Sequence, residues 1–131
     1  MKTPEKNSTA TAELTVSESE LAVNIGSGSL EVLATPVMAM LMEKSACNCI
    51  QKYLEGDETT VGTNLNINHV SATPKGMKVT AEAVLEQVNG RELVFSVKAF
   101  DQSGLIGEGT HTRFLVYAEK FTQKTNSKLN P

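Results

Sequence analysis

The sequence predicts an α+β protein in which one long helix covers one face of an antiparallel sheet. One long segment has helical composition, and apolar and polar residues alternate with a period of two along the segments after it. The length agrees, because 131 residues with 40% hydrophobic and 21% charged side chains are typical of one globular domain. A single helix covers only one face of such a sheet, which places the fold in the α+β class.

The first elements follow from local signals. Residues 1–12 are polar and are expected to form a disordered end, with a first strand at residues 12–16. The long helix is predicted for residues 37–54, a segment without Gly or Pro and rich in Met, Ala and Leu. Thr35 stands before a proline and is predicted to cap the helix, because Thr suits the N-cap and Pro the first helical position.

Four more strands are predicted after the helix. The first carries these residues on one face: Val61, Thr63, Leu65, Ile67 and His69. Asn89-Gly90 is a strong hairpin signal between alternating segments at residues 79–85 and 93–99. The last strand is predicted for residues 106–117.

Together these elements predict one domain over residues 13–121, followed by a polar tail at residues 122–131. An antiparallel five-stranded sheet wrapped around one long central helix is the hotdog arrangement. A cystatin-like α+β roll has a similar order of elements, and the sequence pattern alone does not separate the two folds.

Charge and composition exclude several classes of protein. The net charge is −3 and no basic stripe is visible, so no nucleic-acid partner is expected. No stretch approaches the roughly 20 apolar residues of a membrane span, and no signal peptide is visible. Cys47 and Cys49 fall on different helix faces and suit a cytoplasmic location. Two Cys and two distant His are too few to predict a metal site.

Glu43 and His69 are the first candidates for chemistry. Glu43 is predicted among apolar residues on one side of the helix, whereas Ser45 is placed on the polar side. Glu43 therefore either pairs with a cation, lies at a subunit boundary, or takes part in a reaction. His69 lies on the strand face that meets this helix, where a core histidine is the commoner role. A Glu and a His converging on one cavity would form an acid–base or nucleophile pair.

Three other residues have a structural and a functional interpretation. The Thr35 hydroxyl suits helix capping, and it could also serve a ligand at the helix start. Gly62 allows either a β-bulge or close approach of a ligand to the backbone. For His111, a surface or interface role is expected.

Six segments at matching spacing resemble the fluoroacetyl-CoA thioesterase-like branch of the hotdog thioesterases. They lie at residues 33–36, 41–43, 61–63, 69–77, 95–101 and 107–113. The resemblance covers about residues 16–121. It implies an acyl-CoA thioesterase that needs no cofactor beyond the CoA of its substrate. It also implies a homodimer with active sites at the interface, and exposed sheet edges favour this assembly or a dimer of dimers.

The resemblance also assigns site residues. It implies a catalytic group of Thr35, Glu43 and His69, with Gly62 and Arg113 as substrate-binding residues. Thr35 and Glu43 would be about 12 Å apart along one helix, so either the helix begins later or two subunits share the site.

The fluoroacetyl-specific enzyme of this branch carries phenylalanines in a lid before the Thr, whereas residues 26–32 here contain no aromatic residue. The sequence therefore predicts hydrolysis of a more general short or medium acyl-CoA. A non-catalytic acyl-CoA-binding module is the alternative. A hydratase is a third interpretation, but no Asp stands five residues before His69.

Overall fold

The computed structural model describes all 131 residues and contains one five-stranded antiparallel sheet. Its strands are β1 (Thr9–Thr15), β2 (Glu58–His69), β3 (Lys78–Asn89), β4 (Glu92–Asp101) and β5 (Gly104–Tyr117). They lie in the order β1-β3-β4-β5-β2, so β1 and β2 are the edge strands. The helices are α1 (Ala22–Ile25), α2 (Thr35–Ile50) and α3 (Ala118–Asn126). The α2 helix packs on one face of the sheet, which confirms the predicted hotdog fold.

The core lies between α2 and the inner faces of the strands. The buried side of the helix includes Met38, Leu41 and Met42, and none of the three is more than 2% exposed. Opposite them, β3 and β4 present small side chains such as Ala81 and Ala99, which let the helix approach the sheet closely. Each fully buried Leu or Met contributes about 1.5–3 kcal/mol, so this interface holds the helix in place.

The start of α2 differs from the prediction. Thr35 is the first helical residue rather than the cap, and Ala34 occupies the N-cap without a side-chain hydrogen bond. The α-helix ends at Ile50, and a 3-10 turn at Gln51–Tyr53 completes the predicted segment. Because Thr35 does not cap the helix, its hydroxyl is free to bond elsewhere.

Both chain ends are more ordered than their polar sequences suggest. The first strand begins at Thr9, three residues earlier than predicted, and pairs with β3. The Met1 ammonium lies 2.7 Å from Glu58, and the Lys2 amide donates to the Tyr53 carbonyl. At the other end, α3 runs to Asn126, inside the predicted tail. These contacts are tertiary, which explains why composition alone indicates disorder.

None of the helices combines the length and the apolar character that crossing a membrane requires. Cys47 and Cys49 are both free thiols, and Cys49 is buried.

Candidate active site

The five predicted site residues fall into two separate polar clusters at opposite ends of β2. The Thr35 cluster consists of Thr35 and His69, and the Glu43 cluster consists of Glu43, Gly62, Arg113 and the additional residue His111. Gly62 and His69 are seven residues apart on one strand, which corresponds to about 20 Å. Within one protomer, the predicted convergence of Glu43 and His69 on one cavity is therefore not observed.

The Thr35 cluster joins the start of α2 to the end of β2. The Thr35 hydroxyl lies 2.7 Å from Nδ1 of His69. The other ring nitrogen, Nε2, is buried and has no hydrogen-bond partner in the protein. Burial lowers the pKa of His69 below its ordinary value of 6.5, so the imidazole is neutral at neutral pH. A neutral imidazole with one uncommitted nitrogen can accept a proton from, or donate one to, a bound ligand.

A cleft of about 390 Å³ opens beside Thr35 and His69. Its remaining wall comes from α1, from the connection between α1 and α2, and from the segment after β2, and this wall contains no aromatic residue. These wall residues are Ala22, Ser27, Gly28, Ser29, Leu30, Val32, Leu33, Val70, Ser71 and Ala72. The end of this connection is fixed by two isolated antiparallel β-bridges, one between Leu33 and Leu21 and one between Val32 and Pro74.

The Glu43 cluster is organised around the buried guanidinium of Arg113. Thr60 accepts two of its hydrogen bonds, through Oγ1 at 2.8 Å from Nε and through the backbone carbonyl at 3.0 Å from Nη2. The remaining nitrogen, Nη1, lies 3.7 Å from Oε2 of Glu43. The Arg113 side chain is only 9% exposed, whereas that of Glu43 is 42% exposed. The cation is therefore fixed from within, and the carboxylate beside it faces solvent.

His111 completes the support of Arg113. Its Nε2 lies 3.1 Å from Nη1 of Arg113, and a guanidinium can only donate, so Nε2 is the acceptor. The proton is then on Nδ1, which donates to the Asn64 carbonyl at 2.8 Å. Burial, with a smaller contribution from the Arg113 charge, lowers the pKa of His111 below 6.5. The ring is neutral and acts as a fixed acceptor for Arg113.

Gly62 leaves little space for a side chain. A Cβ at this position would lie 3.2 Å from Oε2 of Glu43 and 3.2 Å from Cε1 of His111. The register of β2 against β5 also shifts between Gly62 and Asn64, as in a β-bulge, which is one of the two interpretations of Gly62 given by the sequence. The bare backbone at Gly62 thus borders the Glu43 carboxylate directly.

Two expectations about side-chain placement were wrong. His111 was expected at a surface or interface, but it is 1% exposed. The sequence did offer a signal that His111 lies beside Arg113. The two residues are two positions apart on one strand, so their side chains point to the same face. On α2, Ser45 was placed on the polar side but is fully buried, and the apolar Met40 is 46% exposed. Glu43 therefore lies at the border of the buried face and not among core residues.

No three His, Cys, Asp or Glu side chains lie close enough together to hold a metal ion. The chemistry available at the two clusters is that of a carboxylate, a neutral imidazole, a hydroxyl and a buried cation.

Comparisons with known proteins bear on this arrangement. Residues 16–119 match the family model of fluoroacetyl-CoA-specific thioesterases. A fluoroacetyl-CoA thioesterase of Streptantibioticus cattleyicolor is 42% identical over 98 residues, which cover 75% of this chain and 70% of that protein.

Solved structures agree with the sequence comparison. A structure of the fluoroacetyl-CoA thioesterase superposes with a TM-score of 0.91 at 32% identity, and covers 97% of this chain and 98% of that one. A Thermus thermophilus member of the thioesterase superfamily superposes with a TM-score of 0.92 at 23% identity, over 99% and 96% of the two chains. The second likeness concerns the fold alone. The match of the family model over most of the chain confirms the predicted resemblance: this chain belongs to the family of fluoroacetyl-CoA-specific thioesterases, which are thioester hydrolases.

Proposed function

We propose that this protein hydrolyses short or medium acyl-CoA thioesters to the free acid and CoA, at sites that combine the Thr35 cluster of one protomer with the Glu43 cluster of another. The similarity to a fluoroacetyl-CoA thioesterase supports the thioester substrate. A solved structure of a variant of that enzyme, 33% identical to this chain, contains acetyl-CoA, which supports CoA as the carrier.

One observation supports a site shared by two protomers: each cluster includes a residue of the free edge strand β2, Gly62 in one and His69 in the other. Strand β2 pairs only with β5, and its outer edge is twelve residues long. Two copies of β2 that pair antiparallel about a twofold axis at Asn66 keep inward-facing residues opposite each other and place His69 opposite the partner's bulge at residues 62–63. This pairing covers the exposed edge and brings His69 close to the partner's Gly62, although these two residues lie about 20 Å apart along β2 in one protomer. The proposed unit is a homodimer, and further pairing gives a dimer of dimers.

Each side chain then has a role in hydrolysis. Glu43 acts as the nucleophile or as the base that activates water at the thioester carbonyl carbon. Water either attacks directly or cleaves the mixed anhydride that forms when Glu43 attacks. The carbon–sulfur bond breaks, the acyl group leaves as the free acid with the oxygen of water, and the CoA thiolate gains a proton. His69 positions the water or delivers that proton through Nε2, and Thr35 orients the reacting carbonyl or carboxylate. Arg113 holds the Glu43 carboxylate in place, and the Gly62 backbone leaves room for the acyl group.

The cleft beside Thr35 supports a general rather than a fluoroacetyl-specific substrate. Its wall from Ser27 to Leu33 is made of small and aliphatic side chains. A cleft of about 390 Å³ accommodates a short or medium acyl chain, and no aromatic ring closes it against larger groups. A cytoplasmic location is consistent with free Cys47 and Cys49 and with a CoA substrate.

Release of free thiol from a panel of acyl-CoAs tests the proposal, with Glu43→Ala as the inactive control. We expect turnover of short and medium chains that the control lacks. A panel that binds without turnover would instead support the acyl-CoA-binding module, and light scattering that shows a monomer at micromolar concentration would contradict the shared site.

A further inference from the structure

We propose that the cleft beside Thr35 and His69 selects acyl groups that carry a hydroxyl substituent, so that the preferred substrates are short hydroxyacyl-CoA thioesters. This inference rests on the proposed function and names the substrate class of the same site. It depends on three serines in the wall of the cleft, Ser27, Ser29 and Ser71, which we call the cleft serines. All three are exposed.

The hydroxyls of the cleft serines are available to a ligand. A serine hydroxyl commonly bonds to nearby backbone or to a neighbouring side chain, as those of Ser8 and Ser17 do in this chain. Of the four hydroxyls that line the cleft, only that of Thr35 has a partner in the protein, Nδ1 of His69. The other three belong to the cleft serines. Each can donate one hydrogen bond to a bound group and accept others from it.

The backbone that carries the cleft serines is held in place on both sides of the cleft. The Ser27 amide donates to the Ala22 carbonyl, and the Ala22 amide donates to the Val32 carbonyl, so the connection between α1 and α2 is tied to α1 near both of its ends. On the other side, the Ser71 amide donates to the Ile106 carbonyl of β5. Because the backbone is already ordered, a ligand that bonds these hydroxyls orders little more of the protein.

The charge of the cleft excludes other polar acyl groups. No Lys, Arg, Asp or Glu lines it. Its one titratable side chain is His69, and burial lowers the pKa of this group below its ordinary value. A carboxylate on the acyl group would enter the cleft without a cation to pair with, which is costly. A hydroxyl is neutral and needs only donors and acceptors, which the cleft serines supply.

The rest of the wall suits a short carbon chain. Leu30, Val32, Leu33 and Val70 contribute aliphatic side chains to the same cleft of about 390 Å³. A purely aliphatic acyl group would pack against these side chains, but it would also remove serine hydroxyls from water without bonding them, which costs free energy. A short hydroxyacyl group satisfies both parts of the wall. The mixture of aliphatic and hydroxyl side chains therefore favours hydroxyacyl groups over alkyl groups of the same length.

The first test compares thioesters with a four-carbon acyl group. The value of kcat/KM is measured for 2-hydroxybutyryl-CoA, 3-hydroxybutyryl-CoA, butyryl-CoA and succinyl-CoA. We expect at least one hydroxybutyryl-CoA to exceed butyryl-CoA by about tenfold, the effect of one or two added hydrogen bonds, and succinyl-CoA to be the poorest substrate. Equal values for the hydroxybutyryl and butyryl thioesters, or a preference for succinyl-CoA, would overturn the proposal.

Serine variants assign the preference to the wall of the cleft. The triple variant Ser27→Ala/Ser29→Ala/Ser71→Ala removes the three hydroxyls, and Ser103→Ala is the matched control, because this exposed serine lies in the turn between β4 and β5 and does not line the cleft. We expect the ratio of kcat/KM for hydroxybutyryl-CoA over butyryl-CoA to fall close to one in the triple variant and to stay unchanged in the control, with similar melting temperatures. A triple variant that keeps the wild-type ratio would refute the role of the cleft serines.

The second test does not depend on catalysis. Both hydroxybutyryl-CoA thioesters and butyryl-CoA are titrated calorimetrically into Glu43→Gln, with and without the three serine substitutions. We expect one hydroxybutyryl-CoA to bind about tenfold more tightly than butyryl-CoA, and the serine substitutions to abolish this difference. Equal affinities, or no binding of any of these thioesters, would contradict the inference. If the wild type hydrolyses no acyl-CoA, the proposed function fails, and this titration still decides whether the cleft selects hydroxyacyl groups.

Discussion

The two clusters at the ends of β2 differ in how firmly they are built. The Thr35 cluster depends on one side-chain contact, between Thr35 and His69, beside a cleft formed by loops. In the Glu43 cluster, Arg113 and His111 are buried, and four hydrogen bonds connect them to each other and to strand β2. One end of the strand therefore has an imidazole nitrogen without a hydrogen-bond partner, and the other has a solvent-facing carboxylate beside a rigid cation.

This difference indicates that the two clusters have different roles in the proposed reaction. In the proposed mechanism, the group that attacks or activates water must be held within a fraction of an ångström, and the fixed Arg113, 3.7 Å from Glu43, limits where that carboxylate lies. A group that receives or delivers a proton needs an open hydrogen-bonding position, which is what the unpartnered Nε2 of His69 provides. Neither cluster contains both properties, and the proposed dimer joins them.

The largest effect is expected at the carboxylate. Glu43→Gln keeps the shape of the side chain but removes its charge, so turnover should fall at least about a hundredfold. The melting temperature should stay the same or rise, because a half-exposed active-site carboxylate contributes little to stability. Steady-state thiol release and thermal unfolding measure the two quantities. A variant that melts much earlier yet keeps near-normal turnover would remove Glu43 from the mechanism and leave it as a structural partner of Arg113.

A smaller effect is expected at the hydroxyl of the other cluster. Thr35→Ala deletes the contact with His69 Nδ1, and kcat should fall about tenfold, because His69 then loses its orientation. Thr35→Ser keeps the oxygen and serves as the matched control, with a kcat close to that of the wild type. Equal losses in both variants would mean that the methyl group, and not the hydroxyl, matters at this position.

The two histidines test the difference in rigidity directly. His111→Phe leaves Nη1 of Arg113 and the Asn64 carbonyl without their partner, so the free energy of unfolding should fall by about 1–3 kcal/mol. The same change at His69 removes one contact and one unpaired nitrogen, and should have a clearly smaller effect. Urea denaturation of both variants gives the comparison. Equal losses of stability would show that the two clusters are built alike.

The smallest effect concerns pH. Burial lowers the pKa of His69 and of His111 below 6.5, so between pH 6.5 and these lowered values the unfolded chain binds more protons than the folded one. The free energy of unfolding should therefore decrease as the pH falls from 7 through this window. The slope should be shallower in His111→Phe, which lacks one of the two groups. A variant with the slope of the wild type would show that His111 is not buried in its neutral form.

The sequence predicted those parts of the fold that local composition and periodicity determine. The helix, the Asn89-Gly90 hairpin and the alternating strands were predicted near their observed bounds, since composition and period fix them. The order at the two ends was not predicted, because it depends on distant partners. The Met1 ammonium contacts Glu58, and the Ala118 amide donates to the Asp57 carbonyl.

For the candidate site, the family resemblance supplied Thr35, Glu43, His69, Gly62 and Arg113, and the family is confirmed. The resemblance did not indicate how these residues divide within one protomer. That division follows from the length of β2 and from a helix that begins at Thr35. The burial of His111 was missed because alternation defines two faces of a strand but not which one a helix covers.

The claim that the two clusters form one site across two protomers is tested most directly by mixing inactive variants. His69→Ala and Glu43→Gln are co-expressed with different affinity tags, and the heterodimer is purified on both. If the clusters are shared, one of its two sites has lost both residues and the other has lost neither, so the heterodimer should recover about half of the wild-type turnover. If each protomer carried a complete site of its own, both sites would remain damaged, and the heterodimer would be as inactive as either parent.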